Sequence, residues 1–104
     1  MGGTCKTGMK PSELVASHRD VIRRVVRGHH AVNARIFGSA ARGADTRTSD
    51  LDLLVDPTDE TTLLDLGAIR AELRGLLGIE VDVLTPQALP PEIRSRVLQE
   101  AVPV

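Results

Sequence analysis

Residues 38–55 read Gly-Ser-Ala-Ala-Arg-Gly-Ala-Asp-Thr-Arg-Thr-Ser-Asp-Leu-Asp-Leu-Leu-Val, and no other stretch limits the possible fold as much. The first half is a small-residue turn that follows the apolar segment Ala31 to Phe37. The second half alternates acid and aliphatic as it enters a predicted strand. Side chains two apart on a strand share a face, so Asp50 and Asp52 point one way and Leu51, Leu53 and Val55 the other. Two adjacent carboxylates repel, and a divalent cation between them removes that cost. Mg²⁺ suits the arrangement because it takes few protein oxygens and completes its shell with water and substrate phosphates. The glycine-rich turn upstream is then the natural rest for those phosphates.

The remaining pattern supplies a frame for this stretch. Met1 to Lys10 has no periodicity and reads as a flexible tail, with one domain over residues 11–104. Lys6-Thr7 lacks the preceding glycine and strand of a phosphate loop. Pro11-Ser12 opens a helix in which Leu14, His18, Val21/Ile22 and Val25/Val26 recur at helical spacing up to a Gly28 cap. Arg19, Arg23, Arg24 and Arg27 fall on its polar side, read as a solvated basic face, with an acidic partner or RNA as the alternative. His18 is expected on the helix flank and His29-His30 in a solvated turn. Ala31–Phe37 is the first strand, Ala40 to Arg42 one helical turn, and Leu51–Val55 the second strand, broken by Asp56-Pro57.

A helix follows from N-cap candidates in Asp59–Thr62, with a stripe of Leu66, Ile69, Leu73 and Leu76/Leu77 and a closing Gly78. Ile79–Leu84 is the third strand, with Glu80, Asp82 and Leu84 on one face. Pro90-Pro91-Glu92 starts a last helix carrying Ile93, Val97 and Leu98. The order αβ(α)βαβα defines a small α/β sandwich with a mixed sheet of about three strands.

Composition removes several alternatives. The charge balance of 13 basic and 14 acidic residues gives −1, too weak a field to draw the chain to nucleic acid or a membrane. Phe37 is the sole aromatic residue, so there is no stacking platform for single-stranded nucleic acid. A core built from Leu, Val, Ile and Ala is thin, and a partner surface can complete it. Cys5 is the only cysteine, which excludes an internal disulfide and a thiolate zinc cage. No run approaches the roughly 20 apolar residues of a membrane span, and the first ten residues lack a signal-peptide centre. A cytoplasmic protein is the plain expectation.

If the second and third strands are neighbours, Asp50, Asp52 and Asp82 converge beside Gly38-Ser39. That is the minimum kit for two-metal phosphoryl or nucleotidyl transfer. The Gly38 and Ser39 amides and the Ser39 hydroxyl would hold the outer phosphates, with glycine allowing close approach. Asp50 and Asp52 would bridge two ions, and Asp82 would join the catalytic one. Arg42 and Arg47 are cations able to reach a triphosphate, or to pair with Asp45 or Asp56 instead.

With these segments in place, the sequence resembles a known family. Gly38-Ser39-Ala40-Ala41-Arg42-Gly43, Ser49-Asp50-Leu51-Asp52-Leu53-Leu54-Val55 and Val81-Asp82-Val83-Leu84 look like the minimal nucleotidyltransferases of the DNA polymerase beta superfamily. The resemblance implies nucleotide-phosphate binding at Gly38 and Ser39 and Mg²⁺ binding at Asp50, Asp52 and Asp82; Arg42 and Ser49 are further nucleotide-binding candidates. Many stand-alone members of this size resemble the antitoxin of a two-gene pair whose partner is a helical HEPN ribonuclease toxin. The resemblance implies AMP transfer from ATP to a tyrosine of that partner. Two alternatives stand beside it. One is a non-catalytic module that neutralises its partner by occlusion, and the other is a nucleotidyltransferase acting on a small molecule or tRNA.

Overall fold

The computed structural model describes residues 9–104, so Lys6-Thr7, Cys5 and most of the expected tail lie outside the described residues. Among the described residues, five α-helices pack on a four-stranded mixed sheet of order β3-β2-β1-β4. In chain order they are α1 (Pro11–Ser17), α2 (Arg19–Gly28), β1 (Ala31–Phe37), α3 (Ser39–Arg42) and β2 (Leu51–Pro57). There follow α4 (Leu63–Leu77), β3 (Val81–Leu84), α5 (Pro91–Glu100) and β4 (Val102–Pro103). The mixed α/β architecture is the one expected; the strand count is one higher. β4 is two residues long and carries no readable alternation, and its proline is tolerated because the strand lies at the sheet edge.

The single first helix is in fact two. His18 has φ −128° and ψ 26°, outside the helical region. Its Nδ1 lies 2.8 Å from the Leu14 carbonyl, and the Ser17 hydroxyl donates to the Glu13 carbonyl at 3.1 Å. Side chains thus take up backbone acceptors of the preceding turn, a competition that helical periodicity does not register. Gly28 is the last residue of α2, and the left-handed residue of the exit turn is His30, at φ 67°. Thr62 caps α4 through a reciprocal box: its hydroxyl accepts from the Asp65 amide, and Asp65 accepts from the Thr62 amide at 2.9 Å.

The sheet buries both faces unequally. Leu51, Leu53 and Val55 join Ile22, Val26, Ile69, Leu73 and Leu77 in the main core, against α2 and α4. Leu54 joins Leu89 and Val97 in a smaller core on the other face, flanked by Phe37, Leu84 and Ile93. Leu76 and Leu98, expected on apolar stripes, are exposed at 55% and 43%. β2 runs on through Asp56-Pro57, paired with Val32 and Ala31 of β1. The ladder with β3 involves only Leu51 to Leu54, so the proline removes no donor from it. β3 begins at Val81, not Ile79, although Glu80 already accepts the Leu51 amide at 2.9 Å.

β1 contains a bulge. Val32 pairs with Asp56 but Arg35 pairs with Leu54, leaving one extra residue on β1. Asn33 absorbs it in the left-handed region at φ 58°. Its side chain donates to Asp56 at 2.8 Å, and Arg35 donates to its carbonyl at 2.6 Å. Plain alternation would put Phe37 on the face of Ala31. The extra residue reverses that parity, so Ala31, Ala34 and Ile36 share the main core and Phe37 faces the smaller one.

Candidate functional site

At the end of β1 the chain turns sharply through Gly38, whose φ of 75° and ψ of −149° lie in a region nearly reserved for glycine. A β-carbon built there would meet Asp52 Oδ2, with Asp52 Cγ 3.3 Å away. Glycine is therefore required twice, by backbone angle and by the carboxylate against it. α3 starts at once with Ser39 and lasts a single turn. The Gly38 carbonyl accepts from Ala41 and Arg42, so the amides of Ser39 and Ala40 have no carbonyl one turn back to bond. Gly43, at φ 72°, ends α3 in the left-handed conformation.

The second component comes from the strands. β2 and β3 are parallel, and Asp52 pairs in register with Asp82, while Phe37 of β1 pairs with Asp52 on the other side. Paired residues of a ladder face the same way, so Asp52 and Asp82 project together beside the Gly38 turn. Asp50 stands one residue before β2, in the loop and not on the strand, and is exposed. Burial raises the carboxyl pKa of Asp52 above its usual 3.8, with further increments from Asp82 and Asp50 and an opposing pull from Arg42. The three aspartates and Arg42 thus occupy one electrostatic neighbourhood.

Among the described residues, no three His, Cys, Asp or Glu side chains are already gathered as a closed metal cage. Mutual repulsion accounts for an open set, and Mg²⁺ needs only one or two protein carboxylates beside water and phosphate oxygens. Hard oxygen donors at Asp50, Asp52 and Asp82, around a turn that a side chain would obstruct, fit that ion.

Arg42 pairs with neither Asp45 nor Asp56. It reaches Glu100 at the end of α5, 3.4 Å away. Asp56 pairs with the buried Arg35 at 3.1 Å. Asp45 is buried and accepts from the Ser12 amide at 2.8 Å and the Ser12 hydroxyl at 3.1 Å. This contact ties the loop after α3 to the start of α1. The Asp45 role escaped the sequence reading because its partner lies 33 residues away. Arg47 is exposed and makes no ion pair among the described residues. Ser49 organises the loop that delivers Asp50: its hydroxyl accepts from the Thr46 amide at 2.8 Å. His29 and His30 lie in the turn after α2, as expected. His29 lies 3.2 Å from Glu72, and His30 lies 3.3 Å from Asp65.

A glycine turn against a strand-borne aspartate pair offers backbone amides to a phosphate and carboxylates to a hard cation, and the nucleotidyltransferase domain family matches residues 18–104. The chain belongs to that family and is a nucleotidyltransferase. A solved structure of a candidate minimal nucleotidyltransferase superposes with a TM-score of 0.84, at 39% identity, covering 95% of this chain and all of that one. A candidate protein adenylyltransferase of Methanocaldococcus jannaschii is 46% identical over 76 residues, 73% of this chain and 82% of the relative. The protein adenylyltransferase MntA of Thermococcus cleftensis is 38% identical over 67 residues, 64% of this chain and 68% of the relative. The same fold, at 20% identity and a TM-score of 0.68, occurs in a toxin–antitoxin structure solved with AMP-PNP, covering 81% of this chain and 69% of that one. These likenesses agree with the minimal-nucleotidyltransferase resemblance carried by the motifs. No helix among the described residues is long and apolar enough to cross a membrane.

Proposed function

We propose that the domain transfers AMP from ATP to a tyrosine hydroxyl of a partner HEPN-type ribonuclease toxin in the cytoplasm, and so serves as its antitoxin. The observation that carries the reading is the in-register Asp52–Asp82 pair beside a turn where Asp52 leaves no room for a β-carbon. The relatives named as protein adenylyltransferases support a protein acceptor.

The free amides at the start of α3 and the Ser39 hydroxyl hold the outer phosphates, and Arg42 adds a cationic contact. Asp50, Asp52 and Asp82 would hold Mg²⁺, which would stabilise negative charge at the phosphates and acidify the acceptor hydroxyl. Asp82 is exposed and so reachable by a hydroxyl from a second molecule. The acceptor oxygen gives up its proton to the Asp82 side, bonds the α-phosphorus, and the α–β bridging bond breaks to release pyrophosphate.

The test is incubation with the product of the neighbouring gene, ATP labelled at the α-phosphate, and Mg²⁺. Label on the partner, lost in the Asp50→Asn/Asp52→Asn variant, is the expected result. Absence of label from the partner rejects the reading. Full neutralisation by the double variant favours occlusion without catalysis.

A further inference from the structure

The ion pair between Arg42 and Glu100 links the phosphate turn to a helix that the nucleotidyl-transfer motifs do not include. Glu100 is the last residue of α5, where the exposed carbonyls carry partial negative charge. An acidic side chain is disfavoured there by local helix electrostatics, and the last turn holds no basic residue to offset it. Its reason for being there is tertiary. Among the described residues its ion-pair partner is Arg42 of α3, reached across 58 residues of sequence.

Arg42 has a matching need. It is a long side chain on a one-turn helix, half exposed, and an unrestrained arginine gives up rotamer freedom when it engages a ligand. The contact with Glu100 uses one guanidinium nitrogen, Nη1. The remaining donors of the planar fork stay available, which is what phosphate recognition by arginine requires. α3 begins directly after Gly38 and spans Ser39–Arg42, so Arg42 is the last residue of the single turn whose first amides face the Gly38 bend.

We propose that Glu100 is a positioning residue for nucleotide binding: it holds the Arg42 guanidinium at the mouth of the phosphate turn, prepaid in entropy, so that α5 sets the affinity of the site for a triphosphate. This rests on the nucleotidyl-transfer reading. Preorganisation of one exposed pair has a bounded effect, about threefold in affinity.

The experiment is calorimetric titration of the full chain with Mg²⁺ and α,β-methylene-ATP, which needs no acceptor protein. Glu100→Ala weakens binding about threefold, and Glu100→Gln, which keeps an acceptor for Arg42, falls between wild type and Ala. In the Arg42→Ala background, Glu100→Ala has no further effect. The thermal midpoint of Glu100→Ala stays at the wild-type value, which separates positioning from loss of fold. Unchanged or tighter binding by Glu100→Ala overturns the proposal, and so does an equal loss in the Arg42→Ala background. If the wild-type chain binds no nucleotide under these conditions, the nucleotidyl-transfer reading itself falls, and the proposal with it.

Discussion

Asp52 of β2 and Asp82 of β3 occupy paired positions of a parallel ladder, so two carboxylates from segments separated by a whole helix become neighbours on one face of the sheet. Like charges directly opposite each other on a sheet are destabilising. The carboxyl of Asp52, partly buried and flanked by Asp82 and Asp50, has its pKa raised above 3.8. The folded chain therefore binds a proton at Asp52 more tightly than the unfolded chain does. Its contribution to stability is full below 3.8 and is lost as pH rises through the folded-state value. Asp52→Asn is expected to stabilise the domain at pH 7 by about 0.5 kcal/mol, raising the thermal midpoint by a few degrees. The gain should vanish at the acid end. Scanning calorimetry of both proteins across pH checks it, and a variant less stable than wild type at neutral pH contradicts the electrostatic account.

Gly38 makes a different demand. Its backbone angles alone cost a substituted residue about 1–3 kcal/mol, before the approach of Asp52 is counted. Gly38→Ala is expected to lose stability on that scale in urea unfolding and to abolish nucleotide binding. Gly43, with open space around its would-be β-carbon, should accept alanine with a smaller loss and retained binding.

The Ser12–Asp45 contact is expected to hold the phosphate turn in place. Asp45→Ala removes both acceptors and leaves the Ser12 amide unpaired, at a cost of about 1–3 kcal/mol. Ser12→Ala keeps the backbone donor to Asp45 and should cost about 1 kcal/mol or less. Denaturation midpoints in the order wild type, Ser12→Ala, Asp45→Ala support the assignment. Amide hydrogen exchange should accelerate first over residues 39–45.

The bulge at Asn33 carries a further prediction. Asn33→Val puts a β-branched residue at φ 58° and removes the bond to Asp56, so a loss of about 2 kcal/mol is expected. Asn33→Gly keeps the backbone angle and should lose less. Chemical denaturation of the two variants distinguishes the causes. Equal losses would mean that the Asp56 bond, and not backbone handedness, holds the bulge.

Much of the fold was legible because its signals are local. β1 was placed at its observed bounds from an apolar run ended by Gly38-Ser39. α4 was framed by an N-cap and by Gly78, which is left-handed at φ 72°. The errors share a cause. The helix break at His18, the partner of Asp45, the Arg42–Glu100 pair and the edge strand β4 all depend on particular side-chain or long-range contacts. None of these leaves a periodic trace. The Asp50 side chain was placed on a strand by alternation, yet the ladder begins one residue later.

The Gly38–Val55 stretch by itself defined the candidate site, because a glycine turn followed by alternating carboxylates already states which atoms are suited to a phosphate and a hard cation. What the chain order could not decide was whether those atoms meet. Parallel pairing of β2 with β3 put Asp82 beside Asp52, and one extra residue in β1 reversed the parity on which Phe37 enters the Gly38 turn. Both are matters of strand register. A one-residue change in register moves every side chain to the opposite face while leaving the local sequence pattern unchanged.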